Sequence, residues 1–185
     1  MAFPLKVAVF IIASAGLFWV SWPSLRDLRL HGFYRFFALE SILIIVLLNI
    51  DYWFTEPLSL YQIISWFLLL VSVSLVVHGF WLLRFVGKPD RRRRDAGLVG
   101  IEKTTELVTE GAYRYIRHPI YASGLYGVWG VFMKNPSWAG ALWAVIATFF
   151  LILTARVEEV ENMRFFGDAY EDYRSKTKMF IPFLL

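Results

Sequence analysis

The sequence predicts an all-α polytopic membrane protein with about five transmembrane helices, a C-terminal helical hairpin and a cytoplasmic amphipathic tail. Three observations predict it. Hydrophobic residues make up 58% of the 185, and the mean hydropathy is +0.54; an ordinary soluble domain has roughly 45–50% apolar residues. The apolar residues fall into blocks of the length that crosses a bilayer, about 17–25 residues. Charged residues are only 18% and lie between those blocks. Such a chain is neither disordered nor of low complexity, and it leaves no half free for a separate soluble nucleotide-binding domain.

Residues 5–22 form the first predicted span. Lys6, at its start, is the only basic residue ahead of the apolar run, and Ser21-Trp22-Pro23 is a poor cleavage site, so the segment reads as a span and not as a signal peptide. Residues 36–54 form the second and end in an aromatic belt of Tyr52, Trp53 and Phe54. Residues 58–86 form the third, long enough to tilt. Residues 120–133 are a short fourth and 138–155 a fifth; Asn135-Pro136 between them predicts a tight helical hairpin.

Loop charge sets the orientation. Arg26, Arg29 and Arg35 lie between the first two spans. Nine of the 19 basic residues lie within 84–117, and Arg156, Arg164, Arg174, Lys176 and Lys178 follow the last span. The turns at 55–57 and 134–137 hold one lysine between them. By the positive-inside rule the three basic segments are cytoplasmic, with the N-terminus outside and the C-terminus inside. The chain then reads as one membrane domain over 1–185: three spans in 1–86, a basic cytoplasmic loop at 87–118, the hairpin at 119–155, and a cytoplasmic tail at 156–185. A site for a charged, soluble cofactor belongs where loop and tail meet. The Arg91-Arg92-Arg93-Arg94 run reads first as an orientation signal touching anionic headgroups, and second as capture of an anionic substrate group. The net charge of +4 has the same origin and does not imply nucleic acid. No cysteine is present, which removes disulfides, thiolate nucleophiles and thiolate metal sites.

Two constellations can carry chemistry. The first is Glu110-Gly111-Ala112-Tyr113-Arg114-Tyr115-Ile116-Arg117-His118-Pro119-Ile120-Tyr121. Pro119 suits the first position of a helix, which places His118 at the cap beside free N–H groups that favour an anion. Arg117 adds a fork of donors for a carboxylate, and Tyr121 follows one turn on. An interfacial helix start with no chemistry explains the same residues equally well. Gly124, Gly127 and Gly130 then form a stripe that reads first as helix packing. The second constellation is Arg156-Val157-Glu158-Glu159-Val160-Glu161-Asn162. Its carboxylates could take ribose hydroxyls, an amino group or a sulfonium, or one could act as a base; a solvated helix turn at the membrane boundary is the plainer alternative. In the tail, Gly167 breaks the helix, and Tyr170 and Tyr173 share a face. A lone His78 reads as hydrogen-bonded within the bundle. No second ligand lies one turn away, so no metal site is expected. The usual phosphate-binding glycine loops and the G-x-S-x-G and H-E-x-x-H motifs are absent.

The stretch Leu107–Tyr121 resembles the G-x-Y/F-x-x-x-R-H-P-x-Y signature of the isoprenylcysteine carboxyl methyltransferase and phospholipid methyltransferase superfamily. Glu158-Glu159 through Phe166-Gly167-Asp168-Ala169-Tyr170-Glu171-Asp172-Tyr173 resembles its second signature, with Asn162 where a leucine is usual. The likeness covers roughly residues 100–183. It implies an integral membrane enzyme that transfers a methyl group from S-adenosylmethionine to a lipophilic acceptor at the cytoplasmic membrane face. The acceptor is a prenylcysteine-like carboxylate, a phospholipid amine or a small thiol. Carried over by position, Tyr113, Arg117, His118, Tyr121, Glu158 and Glu159 are the cofactor-binding set. Arg156 and Glu159 are the catalytic candidates, Arg156 as orienter of an acceptor carboxylate. An NADPH-dependent, sterol-reductase-like enzyme and a non-catalytic protein of the same fold are the alternatives. Neither nucleic acid nor metal is expected as a partner, and the oligomeric state is left open.

Overall fold

A computed structural model describes residues 1–90 and 102–183, and the Arg91–Arg94 run lies outside them. The described residues form helices α1 (Phe3–Ser21), α2 (His31–Asn49), α3 (Leu60–Phe85), α4 (Pro119–Phe132), α5 (Trp138–Phe166) and α6 (Asp168–Lys176). Short 3-10 turns at Ile50–Tyr52 and Gly111–Arg114 join them, and no strand is present among the described residues. α1, α2 with its 3-10 turn, α3 and α5 are long and apolar enough to cross a bilayer. Much of their surface is left apolar and uncovered, as on Phe67, Leu70 and Val77 of α3. In water such surface would be costly; in hydrocarbon it is not. The chain is an integral membrane protein.

The fourth expected span differs from the others. α4 has 14 residues, about 21 Å at 1.5 Å per residue, short of a ~30 Å hydrocarbon core. It packs along α3 from Gly79 to Gln62. At its start, Ile120 and Pro119 press on Gly79 so closely that a Cβ there would lie 3.1 Å from Ile120. Just past its end, Lys134 donates to Gln62 Oε1 at 2.9 Å, and Gln62 Nε2 donates to the Lys134 and Tyr52 carbonyls at 3.2 and 3.0 Å. The Lys134 ammonium also sits 3.4 Å from the centre of the Trp66 ring, a cation–π contact that keeps a buried lysine partnered. The turns at 50–59 and 133–137 therefore lie together at one end.

Helices α2 and α5, and α3 and α4, are the main packed pairs. Small residues set their spacing. Ala38, Ala122 and Ala155 share one core cluster with Ile116, Tyr121, Leu151 and Phe180; Ala144 and Ala147 share another with Ile45, Val128 and Val131. The glycine stripe does the same work: a Cβ on Gly127 would lie 3.0 Å from Ser72 Oγ, and one on Gly130 3.0 Å from Leu69 Cγ. Close approach of this kind replaces the hydrophobic driving force that helices lack in lipid.

Two helices begin or end away from the expected positions. α2 starts at His31 rather than at 36, because its polar first turn is held by α5 across the bundle: Glu161 accepts from the His31 N–H at 2.9 Å and from Nδ1 at 2.6 Å. α5 continues past residue 155 to Phe166, through glutamates, Met163 and Arg164 that favour helix. Gly167, at φ +58°, ends it. α1 packs on α2, with Lys6 2.6 Å from Asp51 at one end and Ser14 donating to Glu40 at 2.7 Å midway.

Candidate functional site

Past residue 155, α5 continues beside the start of α4 and the C-terminal tail. The tail is stitched to the segment before α4 by a parallel bridge between Ile116 and Lys178. Lys178 N–H donates to the Tyr115 carbonyl at 3.1 Å, Arg117 N–H to Lys178 at 2.7 Å, and His118 N–H to Met179 at 3.2 Å. Phe180, 1% exposed, plugs the core behind them. α6 closes over the top, its Tyr173 hydroxyl donating to the Tyr113 carbonyl at 2.7 Å. The aromatic tail residues thus divide: Tyr170, Tyr173 and Phe180 are buried packing, whereas Phe183 is 85% exposed.

These elements enclose a cleft with a cavity volume of about 70 Å3, smaller than the usual ~300–1,000 Å3 of small-molecule sites. Tyr113, Arg117, His118, Tyr121, Glu158 and Tyr173 are among its lining residues. His118 caps α4 and is 4% exposed, its ring stacked on Tyr121 with centroids 5.6 Å apart. Its Nδ1 lies 3.8 Å from a Glu158 oxygen and its Nε2 3.5 Å from a Glu159 oxygen. Nε2 is buried without a hydrogen-bond partner. A buried polar atom left in that state is costly unless something else satisfies it.

Glu158 and Glu159 point differently, as neighbours 100° apart on a helix must. Glu158 faces the cleft. Glu159 is 6% exposed and tied down: Arg117 Nε donates to it at 2.6 Å, and Arg174 Nε lies 3.4 Å from its other oxygen. Arg117 Nη1 donates to the carbonyls of Arg174 and Thr177, which leaves Nη2 without a protein partner among the described residues. Arg156 stands apart from the cleft. It is exposed and opens on a separate depression with Glu159, Arg164 and Arg174. Burial pushes the Tyr113, Tyr170 and Tyr173 phenols upward, so all three are neutral hydroxyls at pH 7.

The floor of the cleft holds a charged network that no sequence spacing announces. Glu102 lines the cleft and accepts from Arg35 Nη1, and it lies 3.5 Å from His31 Nε2. Burial alone would raise the Glu102 carboxyl, but His31 and Arg35 outweigh it and hold it down to about 2. His31 in turn bonds Glu161. Residues 31, 35, 102 and 161 are far apart in the chain, so the sequence offers only an unexplained histidine and three ordinary charges. Asn162, which stands where the second signature usually has a leucine, also lines the cleft. His78 accepts from the Ala112 N–H at 3.2 Å, a contact within the bundle. Among the described residues no group of His, Asp and Glu gathers as a metal site.

A family model described as phospholipid methyltransferase matches residues 60–169, from the start of α3 to the start of α6. The chain belongs to the phospholipid methyltransferase family. Named methyltransferases are among the relatives of this family member. It is 28% identical over 124 residues to the methanethiol S-methyltransferase of Crocosphaera subtropica, covering 65% of this chain and 44% of that protein. It is 25% identical over 185 residues to the methanethiol S-methyltransferase of Pseudomonas deceptionensis, covering 98% and 61%. The protein-S-isoprenylcysteine O-methyltransferase of Schizosaccharomyces pombe is 36% identical over 84 residues, 42% of this chain and 34% of that protein. The chain thus spans about half the length of the first two relatives. No solved structure matches it.

Proposed function

We propose that this membrane protein transfers a methyl group from S-adenosylmethionine to a lipophilic acceptor, and that the cleft under α6 holds the cofactor. One observation carries the reading: His118 and Tyr121 from the first motif and Glu158 from the second, separated in sequence by a helical hairpin, line one cleft. The donor set fits a small zwitterion with a sugar and an aromatic base. His118 and Arg117, which both line the cleft, carry N–H groups suited to a carboxylate. Glu158 is an acceptor for hydroxyl and amino groups, and the buried tyrosines offer aromatic faces. When bound, S-adenosylmethionine supplies an electrophilic methyl carbon.

The chain's own residues orient and desolvate. Arg117 and Glu159 tie the cap of α4 to α5 and to the tail, so that His118 keeps its position. α6 covers the cleft and excludes water. Glu158 is assigned to hydroxyl and amino groups and not to the sulfonium, because attraction for a charge that disappears on transfer would stabilise reactant over transition state. Arg156 faces the neighbouring depression, so an acceptor carboxylate held by it would approach along that side of α5. The relatives' printed names include thiol and prenylcysteine acceptors, and the apolar helices around the site suit an acceptor that arrives through lipid. We place the site on the cytoplasmic face, from the basic residues that surround it.

The test is calorimetric titration of the detergent-purified protein with S-adenosylhomocysteine, with NADPH as the competing cofactor. Binding is expected for the first alone. Glu158→Ala and His118→Ala are each expected to weaken it about tenfold or more, the worth of a lost charge-assisted hydrogen bond. NADPH binding at the same residues would replace this reading with the reductase one.

A further inference from the structure

The side of α5 turned away from the cleft carries an arrangement that the proposed cofactor site does not use. Arg156 and Arg164 from α5, Arg174 and Lys176 from α6, and Lys178 from the tail that follows all border two adjoining depressions. Among the described residues only one carboxylate, Glu159, borders them, and it is already shared by Arg117 and Arg174. Lys176 pairs with Asp172 at 2.5 Å. Arg156, Arg164 and Lys178 make no ion pair among the described residues. Three segments therefore converge cations on one hollow with too little negative charge to balance them.

The hollow also has an apolar side. Ile152 lies one turn before Arg156, inside the membrane-crossing part of α5, and borders the same depression; Met179 borders both depressions. Along α5 the lining of the two depressions passes from Ile152, in the apolar part of the helix, to Arg156 and then to Arg164. A topology signal needs basic residues near the interface, but it does not need them gathered around a hollow with an apolar floor.

We infer that this depression is a binding site for the phosphate of an anionic membrane lipid, with the acyl chain lying along Ile152. The inference does not depend on the methyl-transfer reading, and its measurement needs no turnover. The site shares a wall with the cofactor cleft, since Arg117 lines both. A phosphate there competes with Glu159 for Arg174 and Arg117, and so changes the grip on the cap of α4.

Delipidated protein in detergent is titrated with phosphatidylglycerol, with phosphatidylcholine of the same chains, and with inorganic phosphate, following bound lipid by native mass spectrometry and stability by thermal shift. Phosphatidylglycerol is expected to bind and raise Tm, and phosphatidylcholine much less. The double variant Arg156→Gln with Lys178→Gln is expected to bind phosphatidylglycerol about thirtyfold more weakly, two interfacial charges having been removed. Arg29→Gln, which removes a charge outside the hollow, is expected to bind as the parent does. Helix content and elution volume establish that each variant is folded. Equal binding of the two lipids, an unchanged affinity in the folded double variant, or a thermal shift fully reproduced by inorganic phosphate overturns the assignment.

Discussion

Glu159 illustrates how the candidate site divides its labour between adjacent residues. Its carboxylate sits between Arg117 and Arg174 with 7% of the side chain exposed, and the Arg117 side chain is 10% exposed. Breaking such a pair from one side leaves a charge buried without its partner, which costs about 3–5 kcal/mol. Arg117→Ala and Glu159→Ala are therefore each expected to lower thermal stability strongly, while the double variant loses much less than the sum; a double-mutant cycle on Tm checks this. Glu102 offers a pH test. Its folded value, about 2, lies below the ordinary 4.5. A depressed carboxyl adds stability above its unfolded value and loses it as pH falls through the folded one. The stability gap between the parent and Glu102→Gln is expected to be full at pH 7, to narrow below about 4.5 and to close near 2. A gap that instead widens on acidification would contradict the ion pairs to Arg35 and His31.

At the level of elements, the α3–α4 contact depends on missing side chains. Gly130 faces Leu69 and Leu68, with a Cβ placed 3.0 Å from Leu69 Cγ and 3.2 Å from Leu68 Cβ. Gly130→Val is expected to force the helices apart and cost about 1–3 kcal/mol. Gly16→Ala, on α1 where nothing lies within 4 Å, is expected to be neutral or slightly stabilising. Melting both variants side by side separates packing from intrinsic helix preference. α4 itself was legible as a helix from Pro119 and the turn after Met133, and as a short one. The sequence reads it as a short fourth span; its place beside α3, from Gly79 to Gln62, is a relation that length and hydropathy do not encode.

For the whole molecule, the turns at 50–59 and 133–137 share one end and the proposed cofactor site lies at the other. The absence of cysteine gives a clean background for mapping this. Single cysteines at positions 56 and 135 are expected to react with an impermeant maleimide from one side of intact cells. Cysteines at 28, 88 and 175 are expected to react only after permeabilisation. Labelling of 135 together with 28 would show that α4 and α5 do not form a crossing hairpin.

The sequence alone determined the all-helical membrane architecture, the ends of most helices to within a few residues, and the two motifs. These are properties of composition, apolar block length and local spacing, and each is decided within a stretch of about twenty residues. The early start of α2 escaped it, because His31 and Arg35 look like loop residues until Glu161 and Glu102 arrive from other segments. Only the tertiary structure decided that Glu158 faces the cleft while Glu159 is spent on Arg117 and Arg174, and that Arg156 belongs to a different hollow. Adjacent glutamates are chemically identical in sequence. What distinguishes them is which side of α5 the tail, α6 and the cap of α4 occupy, and that depends on long-range packing.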